Sequence, residues 1–473
     1  MQWYLSRVNR LPRAALCVAL LVLACAGPAR AADKLIWHGV NERVDADIEG
    51  WSLTQLLERL AEVTGWQVFV EPGTRLKQPV SVRFSNLSPS DALGRLLGEL
   101  SFAVLPQAKA PAKLFVFRTS VGDATQAVRP REPAKAKPIA DELVLLRKPG
   151  SKGGADELAK QLNGKITGRL DEFGAYRVKF ADAEAARRAL SSLNGNPDFT
   201  VDYNFAMPRP VLPDPLVASS TLPLLLKPDV GGPAGQLVVG LVDEAVQKNA
   251  PYREFLLPGV SVAADAPPDS TSPTHGTSMF ETLMRGLAST QEKGATTTVR
   301  VLPVDVYGSA DSTSTFDVAR GIVEALNGGA KIINLSLASG GDSQLLHNVI
   351  IKGSERGVLF LAAAGNEPTT APNYPAAYPE VLAVTAGGRN GQLASYANRG
   401  DFVDVAAPGS SIIYFEGKAY MVSGTSASTA FASGLAAGMR SSTGAGAAVV
   451  TSKLKEVLRS EEHTSELQSR LHL

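Results

Sequence analysis

Continuous apolar runs alternate with amphipathic stretches over the second half of the chain. The runs are Leu237 to Val242, Val301 to Val306, Lys331 to Leu337 and Val358 to Ala364. Helical patterns over 315–328 and 343–357 lie between the later runs. Such runs are typical of strands buried on both faces, and their regular alternation with helices indicates parallel strands. Residues 236–458 are therefore predicted to form an α/β domain with a doubly wound parallel sheet.

Three chemically active side chains occupy distinct places in this pattern. Asp243 ends the first apolar run, and active sites of open parallel sheets lie at the carboxyl ends of the strands. His275 is followed by Gly and Thr. Ser426 closes a Gly-Thr-Ser tripeptide and opens a run of small residues, so it is predicted at a helix N-terminus, where free N–H groups favour negative charge. The order Asp, His, Ser is one of three chain orders that build the same catalytic triad.

These motifs, together with the Ala-Ala-Gly-Asn run that ends at Asn366, resemble those of the subtilases, the subtilisin-like serine proteases. The resemblance implies a subtilisin-like fold and hydrolysis of polypeptides through an acyl-enzyme. Ser426 would be the nucleophile, His275 the general base, and Asp243 the residue that orients His275. The Asn366 side chain and the Ser426 backbone N–H would form the oxyanion hole.

The predicted strand near residue 335 resembles the subtilase strand that borders the substrate cleft. By that resemblance, one wall of the primary specificity pocket consists of Leu337, Ala338, Ser339, Gly340 and Gly341. The small side chains predict a roomy, largely apolar pocket.

The chain also departs from the subtilase pattern. Glu244 and Ala245 follow Asp243, where the family has Thr or Ser and then Gly, and Glu281 stands where a small glycine is usual. We expect Glu244 to add a second negative charge beside Asp243, whose local support must then come from elsewhere. The alternative interpretation is a catalytically impaired pseudoprotease that acts as an envelope binding or signalling module.

The first 31 residues carry the pattern of a signal peptide. Arginines precede a 13-residue apolar run over 14–26, and a small-residue cleavage site ends at Ala31. The run is too short to span a bilayer, which takes about 20 residues. The mature protein is therefore predicted to be secreted or periplasmic. A lipoprotein box ending at Cys25 ranks second, because bulky Leu23 stands where such boxes have a small residue.

The cysteine content limits the chemistry of the mature chain. Cys17 and Cys25 are the two cysteines of the sequence, and both lie in the predicted signal peptide. Cleavage after Ala31 leaves no thiol, which excludes cysteine nucleophiles, disulfides and cysteine-ligated metals.

Residues 33–120 are predicted to form a first small α+β domain. Ser52 and Gln55 form a capping box before an apolar helix face, and Gly65 can end that helix. The stretches 79–82 and 91–93 resemble the short N-terminal domain of secretins and TonB-dependent receptors, which implies a candidate envelope partner. A generic spacer is the alternative. The Pro-rich, Lys-rich residues 121–140 are predicted to be an extended linker.

Residues 141–205 are predicted to form a second small α+β domain of βαββαβ order, which is ferredoxin-like. Its stretches 143–146 and 201–204, and above all its position, resemble the propeptide that assists the folding of subtilases and blocks their cleft. A structural domain that is never removed is the alternative. Residues 206–235, rich in proline, are predicted to be a processing linker.

Two remaining features limit the interpretation. Residues 459–473 contain RSEEHTSELQS, which resembles a translated sequencing adaptor, and we exclude them from the functional argument. The net charge of +1 gives no electrostatic reason to expect nucleic acid. No cofactor is required by the predicted chemistry and no metal ligands are predicted; the resemblance implies calcium without naming a site.

Overall fold

The computed structural model describes residues 34–38, 43–71, 74, 79–106, 112–128, 136, 138–216, 224–229, 235–263, 270–388, 393–394 and 396–459. The chain divides into two compact units, Met1–Arg131 and Glu132–Leu473. The predicted signal peptide lies outside the described residues, as do residues 460–473 of the predicted adaptor-derived tail. No helix within the described ranges is both long enough and apolar enough to cross a membrane.

The described residues of the first unit form two small sheets and two α-helices around one apolar core. Its elements are β1 (Lys34–His38), β2 (Arg43–Ser52), α1 (Leu53–Thr64), β3 (Gln67–Val70), β4 (Pro79–Leu87), α2 (Pro89–Leu97), β5 (Ser101–Leu105), β6 (Lys113–Phe117) and β7 (Gln126–Val128). The sheets have the orders β1-β2-β4 and β5-β6-β3-β7. The predicted capping box of Ser52 and Gln55 is confirmed, and Gly65 ends α1 in the left-handed conformation.

The predicted start of the linker at residue 121 is wrong. Residues 126–128 form β7, which pairs antiparallel with β3. Three residues are too few to show a period of two in the sequence, and what makes them a strand is the free sheet edge of β3.

The second unit begins with a four-stranded antiparallel sheet and two helices. Its elements are β8 (Glu142–Arg147), α3 (Ala155–Gln161), β9 (Lys165–Leu170), β10 (Ala175–Lys179), α4 (Ala183–Ser192) and β11 (Phe199–Asp202). The βαββαβ order is confirmed, and the sheet order is β11-β8-β10-β9. Strand β8 is apolar on both faces, because Leu143 and Leu145 pack in the module's own core while Val144 and Leu146 join a core of the following domain.

The rest of the second unit is built on a seven-stranded sheet. The strands of this part are β12 (Ala206–Pro208), β13 (Asp214–Leu216), β14 (Lys227–Pro228), β15 (Leu237–Asp243), β16 (Val260–Ser261), β17 (Thr296–Thr297), β18 (Val299–Asp305), β19 (Ser312–Ser314), β20 (Ile332–Leu335), β21 (Leu359–Ala363), β22 (Val381–Gly387), β23 (Val405–Pro408), β24 (Ser410–Phe415) and β25 (Lys418–Ser423). The helices are α5 (His275–Ala288), α6 (Thr315–Asn327), α7 (Gln344–Glu355), α8 (Thr425–Thr443) and α9 (Ala447–Arg459). Single 3₁₀ turns occur at Val121–Asp123, Asp171–Phe173 and Arg253–Phe255.

The seven strands are mutually parallel in the order β16-β18-β15-β20-β21-β22-β23. Helices α5, α8 and α9 contribute to the apolar core on one face, and α6 and α7 to the core on the other. The predicted α/β fold with a doubly wound parallel sheet is therefore confirmed.

The predicted linker 206–235 is in part strand, since β12, β13 and β14 pair with β19, β25 and β17.

Helices α5 and α8 cross at glycines. A Cβ atom on Gly434 would stand 2.0 Å from the carbonyl oxygen of Leu283, and one on Gly286 would stand 2.1 Å from that of Phe431. Only glycine allows the two backbones this approach, which fixes the spacing between the helix that begins at His275 and the helix that contains Ser426.

The propeptide-like module packs on the N-terminal ends of α6 and α7. Buried Asp202 accepts hydrogen bonds from the Ser343 hydroxyl at 2.8 Å and the Leu345 N–H at 2.9 Å. Asn204 Oδ1 accepts one from the Phe316 N–H at 3.0 Å. Burial raises the pKa of Asp202, and the hydrogen bonds from Leu345 and Ser343 oppose this rise. A carboxylate and an amide oxygen thus satisfy the free N–H groups of two helices of the following domain.

Candidate active site

Asp243 and His275 form a buried pair at the carboxyl edge of the sheet. Asp243 ends β15, and its Oδ1 lies 2.7 Å from His275 Nδ1. The carboxylate can only accept, so the shared proton is assigned to Nδ1, and Nε2 is left free to take a proton. Burial works to lower the pKa of His275, but the charge of Asp243, its hydrogen bond and the charge of Glu244 together outweigh burial and raise it. The pair is therefore arranged to stabilise an imidazolium.

The N-terminal end of α5 is held by side chains that the sequence analysis did not single out. Thr274 caps the helix by accepting the Thr277 N–H at 3.1 Å, and its hydroxyl donates to the Ala245 carbonyl at 2.8 Å. Gln247 also holds the capping residue, because its Oε1 accepts the Thr274 N–H at 2.9 Å. A threonine directly before His275 is a recognisable N-cap signal. These bonds supply the support for the Asp243 loop that was expected to come from elsewhere.

Glu244 is integrated into the site. Its Oε2 accepts the backbone N–H of His275 at 2.8 Å, and its Oε1 lies 2.7 Å from Nη1 of Arg209. Burial, and then the charge of Asp243, raise the pKa of Glu244, whereas the His275 N–H and Arg209 oppose the rise. The expected second negative charge beside Asp243 is thus present and paired. Arg209 was missed because it lies in the segment predicted to be a linker.

Ser426 is the second residue of α8. Gly424, which directly precedes α8, has a φ of 142°, a conformation that favours glycine. The Ser426 hydroxyl donates to the Ser336 carbonyl at 3.2 Å, and no hydrogen bond joins it to His275 among the described contacts. Catalytic hydrogen bonds are often long or misaligned without substrate and tighten when it binds.

Asn366 lies beside Ser426 and is held by Thr425. Its Oδ1 accepts both the Thr425 N–H at 2.8 Å and the Thr425 hydroxyl at 3.0 Å, and that hydroxyl also accepts the Gly365 N–H at 3.1 Å. A Cβ on Gly424 would stand 3.1 Å from Asn366 Nδ2. With Oδ1 occupied, the amide presents its NH₂ group as a donor next to Ser426. The positioning role of Thr425 was not foreseen.

A cavity of about 490 Å³ adjoins these groups. Ser426 and Asn366 line it, as do four of the five residues predicted for the specificity pocket, Leu337–Gly340. Gly341, the fifth, does not line this cavity. A Cβ on Gly341 would stand 2.2 Å from the ring of Phe205, so the glycine makes room for that ring.

The other two described histidines each bond a carboxylate outside this site. His38 bonds Asp45 at 2.8 Å, and His347 bonds Glu380 at 2.8 Å. Within the described part of the chain, no group of three or more His, Cys, Asp or Glu side chains converges to hold a metal ion. The calcium implied by resemblance finds no fitting cluster there, and it stays a prediction.

Known proteins share the fold elements just described. A family model described as the subtilase family matches residues 216–465, more than half of the chain, and one described as the fervidolysin N-terminal prodomain matches residues 124–204. A thermostable alkaline protease from Halalkalibacterium halodurans is 32% identical over 43% of this chain and 56% of its own length. Thermitase from Thermoactinomyces vulgaris is 40% identical over 32% of this chain and 53% of its own.

The chain thus spans about half the length of these curated relatives. The crystal structure of fervidolysin from Fervidobacterium pennivorans, a keratinolytic enzyme related to subtilisin, has 19% identity and a TM-score of 0.49, covering 65% of this chain and 55% of that one. By its match to the family models, the chain belongs to the subtilase family and carries a fervidolysin-like N-terminal prodomain.

Proposed function

We propose that the chain is a serine endopeptidase that hydrolyses peptide bonds. The observation that carries this is the buried 2.7 Å pair of Asp243 and His275 at the end of β15. The neighbouring strand β20 leads to Ser336, whose backbone and hydroxyl bond Ser426. Three departures from the subtilase pattern, Glu244, Ala245 and Glu281, motivated the pseudoprotease alternative, and the geometry gives no reason to prefer it. Glu244 is paired with Arg209 and supports the His275 backbone, and Glu281 is paired with Arg285.

The proposed mechanism assigns each group one task. Ser426 Oγ attacks the substrate carbonyl carbon while its proton passes to His275 Nε2. The C–N bond then breaks, and His275 gives the proton to the leaving amine. A water molecule, deprotonated by His275, hydrolyses the remaining ester and restores Ser426. Asp243 keeps the imidazole in the required tautomer and stabilises its charged form. No cofactor is needed.

Labelling with a fluorophosphonate tests the proposed function. The full chain, incubated until its prodomain is released, should acquire one label, and mass spectrometry should place it on Ser426. Absence of labelling in the processed protein, or a label on another serine, would contradict the mechanism.

Asn366 supplies one donor of the proposed oxyanion hole, and the Ser426 N–H supplies the other. Asn366→Ala is expected to lower kcat by about 10²- to 10³-fold with little change in KM, because the donor acts on the charge of the transition state. Steady-state kinetics on a chromogenic peptide measures both constants. Asn249→Ala, which removes an exposed amide bonded to Glu416, is the matched control and should leave both unchanged. Equal losses in the two variants would argue against the assignment.

We propose that residues 141–205 act as the prodomain of a zymogen, supported by the prodomain match and by the contacts of Asp202 with α7. Asp202→Ala removes two hydrogen bonds to a charged group, so the affinity of the prodomain should fall about 10- to 100-fold. The lag before peptidase activity appears in the full chain should shorten. Glu184→Ala, an exposed carboxylate of the same module, is the control. An unchanged lag in Asp202→Ala would contradict this docking role.

We propose export through residues 1–31, on the charge and hydropathy pattern of that segment. Expression of the full chain followed by N-terminal sequencing of the exported protein tests it. A mature N-terminus directly after Ala31 supports a soluble secreted or periplasmic enzyme, whereas a lipid-modified N-terminus at Cys25 supports the lipoprotein alternative.

We also propose that the first unit docks an envelope protein, as its secretin- and TonB-like stretches imply. Its separate core supports an independent folding unit. Crosslinking the full chain in intact cells should give an envelope adduct that disappears when residues 33–128 are deleted.

A further inference from the structure

Residues 205–210, which we call the cleft strand, run extended along the edge strand β19 directly after the prodomain. β12 pairs antiparallel with β19. The pairing continues at both ends, because the Thr315 N–H donates to the Phe205 carbonyl at 2.9 Å and the Arg209 N–H donates to the Asp311 carbonyl at 2.9 Å. An extended peptide that adds to a sheet edge is a recurring mode of peptide recognition.

Alternate residues of the cleft strand face the cavity beside Ser426. Ala206, Pro208 and Pro210 line the cavity that Ser426 and Asn366 also line. Successive side chains of a strand point to opposite sides, so the side chain between the last two prolines leaves on the other side. The cleft strand therefore crosses the cavity in the extended conformation that a polypeptide substrate would adopt, and Pro210 is the last of its residues to line the cavity.

The side chain on that other side is Arg209, and each of its three guanidinium nitrogens donates a hydrogen bond. Nη1 lies 2.7 Å from Glu244 Oε1, Nη2 donates to the Gly308 carbonyl at 2.8 Å, and Nε donates to the Ala310 carbonyl at 2.9 Å. The guanidinium carbon lies 5.5 Å from the centre of the Tyr307 ring. Glu244, the two backbone carbonyls and the Tyr307 ring together form a binding site for a planar guanidinium group, which we call the guanidinium receptor.

Glu244 is the charged part of this receptor and has no other cation in the described ion pairs. It is 2% exposed, and its second oxygen is committed to the His275 N–H at 2.8 Å. With the cleft strand in place, the Glu244 carboxylate is buried and Arg209 compensates its charge. When the cleft strand leaves, the partner of Glu244 leaves with Arg209, and a substrate side chain of like chemistry would replace it.

We propose that Glu244, with the carbonyls of Gly308 and Ala310, is a specificity subsite for a substrate arginine at the position of Arg209. In the proposed register, the carbonyl that Ser426 attacks belongs to the substrate residue at the position of Pro210, because Pro210 is the last residue of the cleft strand that lines the cavity with Ser426. The substrate arginine lies one residue before it. The inference rests on the proposed peptidase function, and it makes the cleft strand a copy of the preferred substrate within the chain itself.

The receptor favours arginine over lysine. A guanidinium presents its donors in a rigid planar fork, which matches one carboxylate oxygen and two carbonyls at once. A lysine ammonium is a compact charge at the end of a flexible stem, so it can pair with Glu244 without matching both carbonyls.

A series of internally quenched peptides tests the subsite on the processed enzyme. Each peptide carries the sequence of residues 205–213 with Pro210→Leu, and with Arg, Lys, Ala or Glu at the position of Arg209. Mass spectrometry of the products locates the cleaved bond. We expect kcat/KM for the Arg peptide to exceed that for the Ala peptide about 10²-fold, because a buried charge pair is lost, with Lys intermediate and Glu lowest.

Variants then assign the preference to Glu244. In Glu244→Gln the Arg-to-Ala ratio of kcat/KM is expected to fall to about threefold or less, because the charge is gone but a polar acceptor remains. Glu281→Gln is the matched control: Glu281 is also buried, but it pairs with Arg285 on its own helix, so the ratio should stay at the wild-type value.

The outcomes separate the two proposals. Similar kcat/KM for the Arg, Lys and Ala peptides in the wild type, or an unchanged ratio in Glu244→Gln, overturns the subsite and leaves the peptidase function standing. If no peptide is hydrolysed and no fluorophosphonate label is acquired, both proposals are overturned.

Discussion

Ser426→Ala is expected to lower kcat by about 10⁶-fold, because the groups of a triad act as a unit and little remains without the nucleophile. The hydroxyl has no substitute in the site: its neighbour Ser336 donates its own hydroxyl to the Ser426 carbonyl at 3.0 Å. Turnover of a chromogenic peptide and release of the prodomain from the full chain should both be lost.

The control for this prediction is Ser442→Ala on the same helix. Ser442 is near the end of α8, where its hydroxyl bonds the Met439 carbonyl at 3.2 Å. This variant should process and turn over substrate like the wild type. If Ser426→Ala keeps more than a small fraction of the activity, the assignment of the nucleophile is wrong.

Asp243→Asn is expected to lower kcat by about 10⁴-fold, because an amide at this place favours the wrong imidazole tautomer. His275 Nδ1 would then face an NH₂ group, and Nε2 would carry the hydrogen that Nδ1 now holds. The pH profile gives a second readout. Asp243 raises the pKa of His275 against the effect of burial, so without its charge the pKa of His275 should fall. The acid limb of kcat should therefore move to lower pH.

Asp305→Asn separates this role from a general effect of strand-end acids. Asp305 lies beside Asp243 in register, but its carboxylate accepts the Tyr307 and Gly308 N–H groups, each at 2.9 Å. We expect that variant to keep the position of the acid limb. If it shifts the limb as Asp243→Asn does, the pair of Asp243 and His275 is not the source of the profile.

Much of the fold follows from local patterns in the sequence. The seven-residue apolar strand that ends at Asp243 and the small-residue helix that contains Ser426 are long enough for their periodicity to identify them. They also bring the predicted triad positions to one edge of the sheet, because parallel strands end together there. The short strands at residues 126–128 and 206–208 could not be found in this way, since each exists only because a distant edge strand pairs with it.

The pairing of Glu244 with a cation could also not be predicted from the residues next to it in the sequence. The sequence shows an acid beside an acid, and it predicts repulsion. The compensating Arg209 lies 35 positions earlier, on the other side of a segment that reads as a linker. The prediction that Gly341 lines the specificity pocket is wrong for a similar reason: the ring of Phe205 that covers Gly341 comes from the end of the prodomain.

The glycine crossing of α5 and α8 bears on how this protein can be engineered. Replacing a helix glycine with alanine is a common route to stabilisation, at about 1 kcal/mol for each site. Gly94 of α2 fits that route, since an added methyl would meet no atom within 4 Å. The same substitution at Gly434 is expected to destabilise the protein, because the added methyl group would collide with the backbone of α5. Eight positions from Ser426, or about 12 Å along the helix, it would push apart the two helices that carry the base and the nucleophile. Glycine content alone is therefore a poor guide for stabilising this chain.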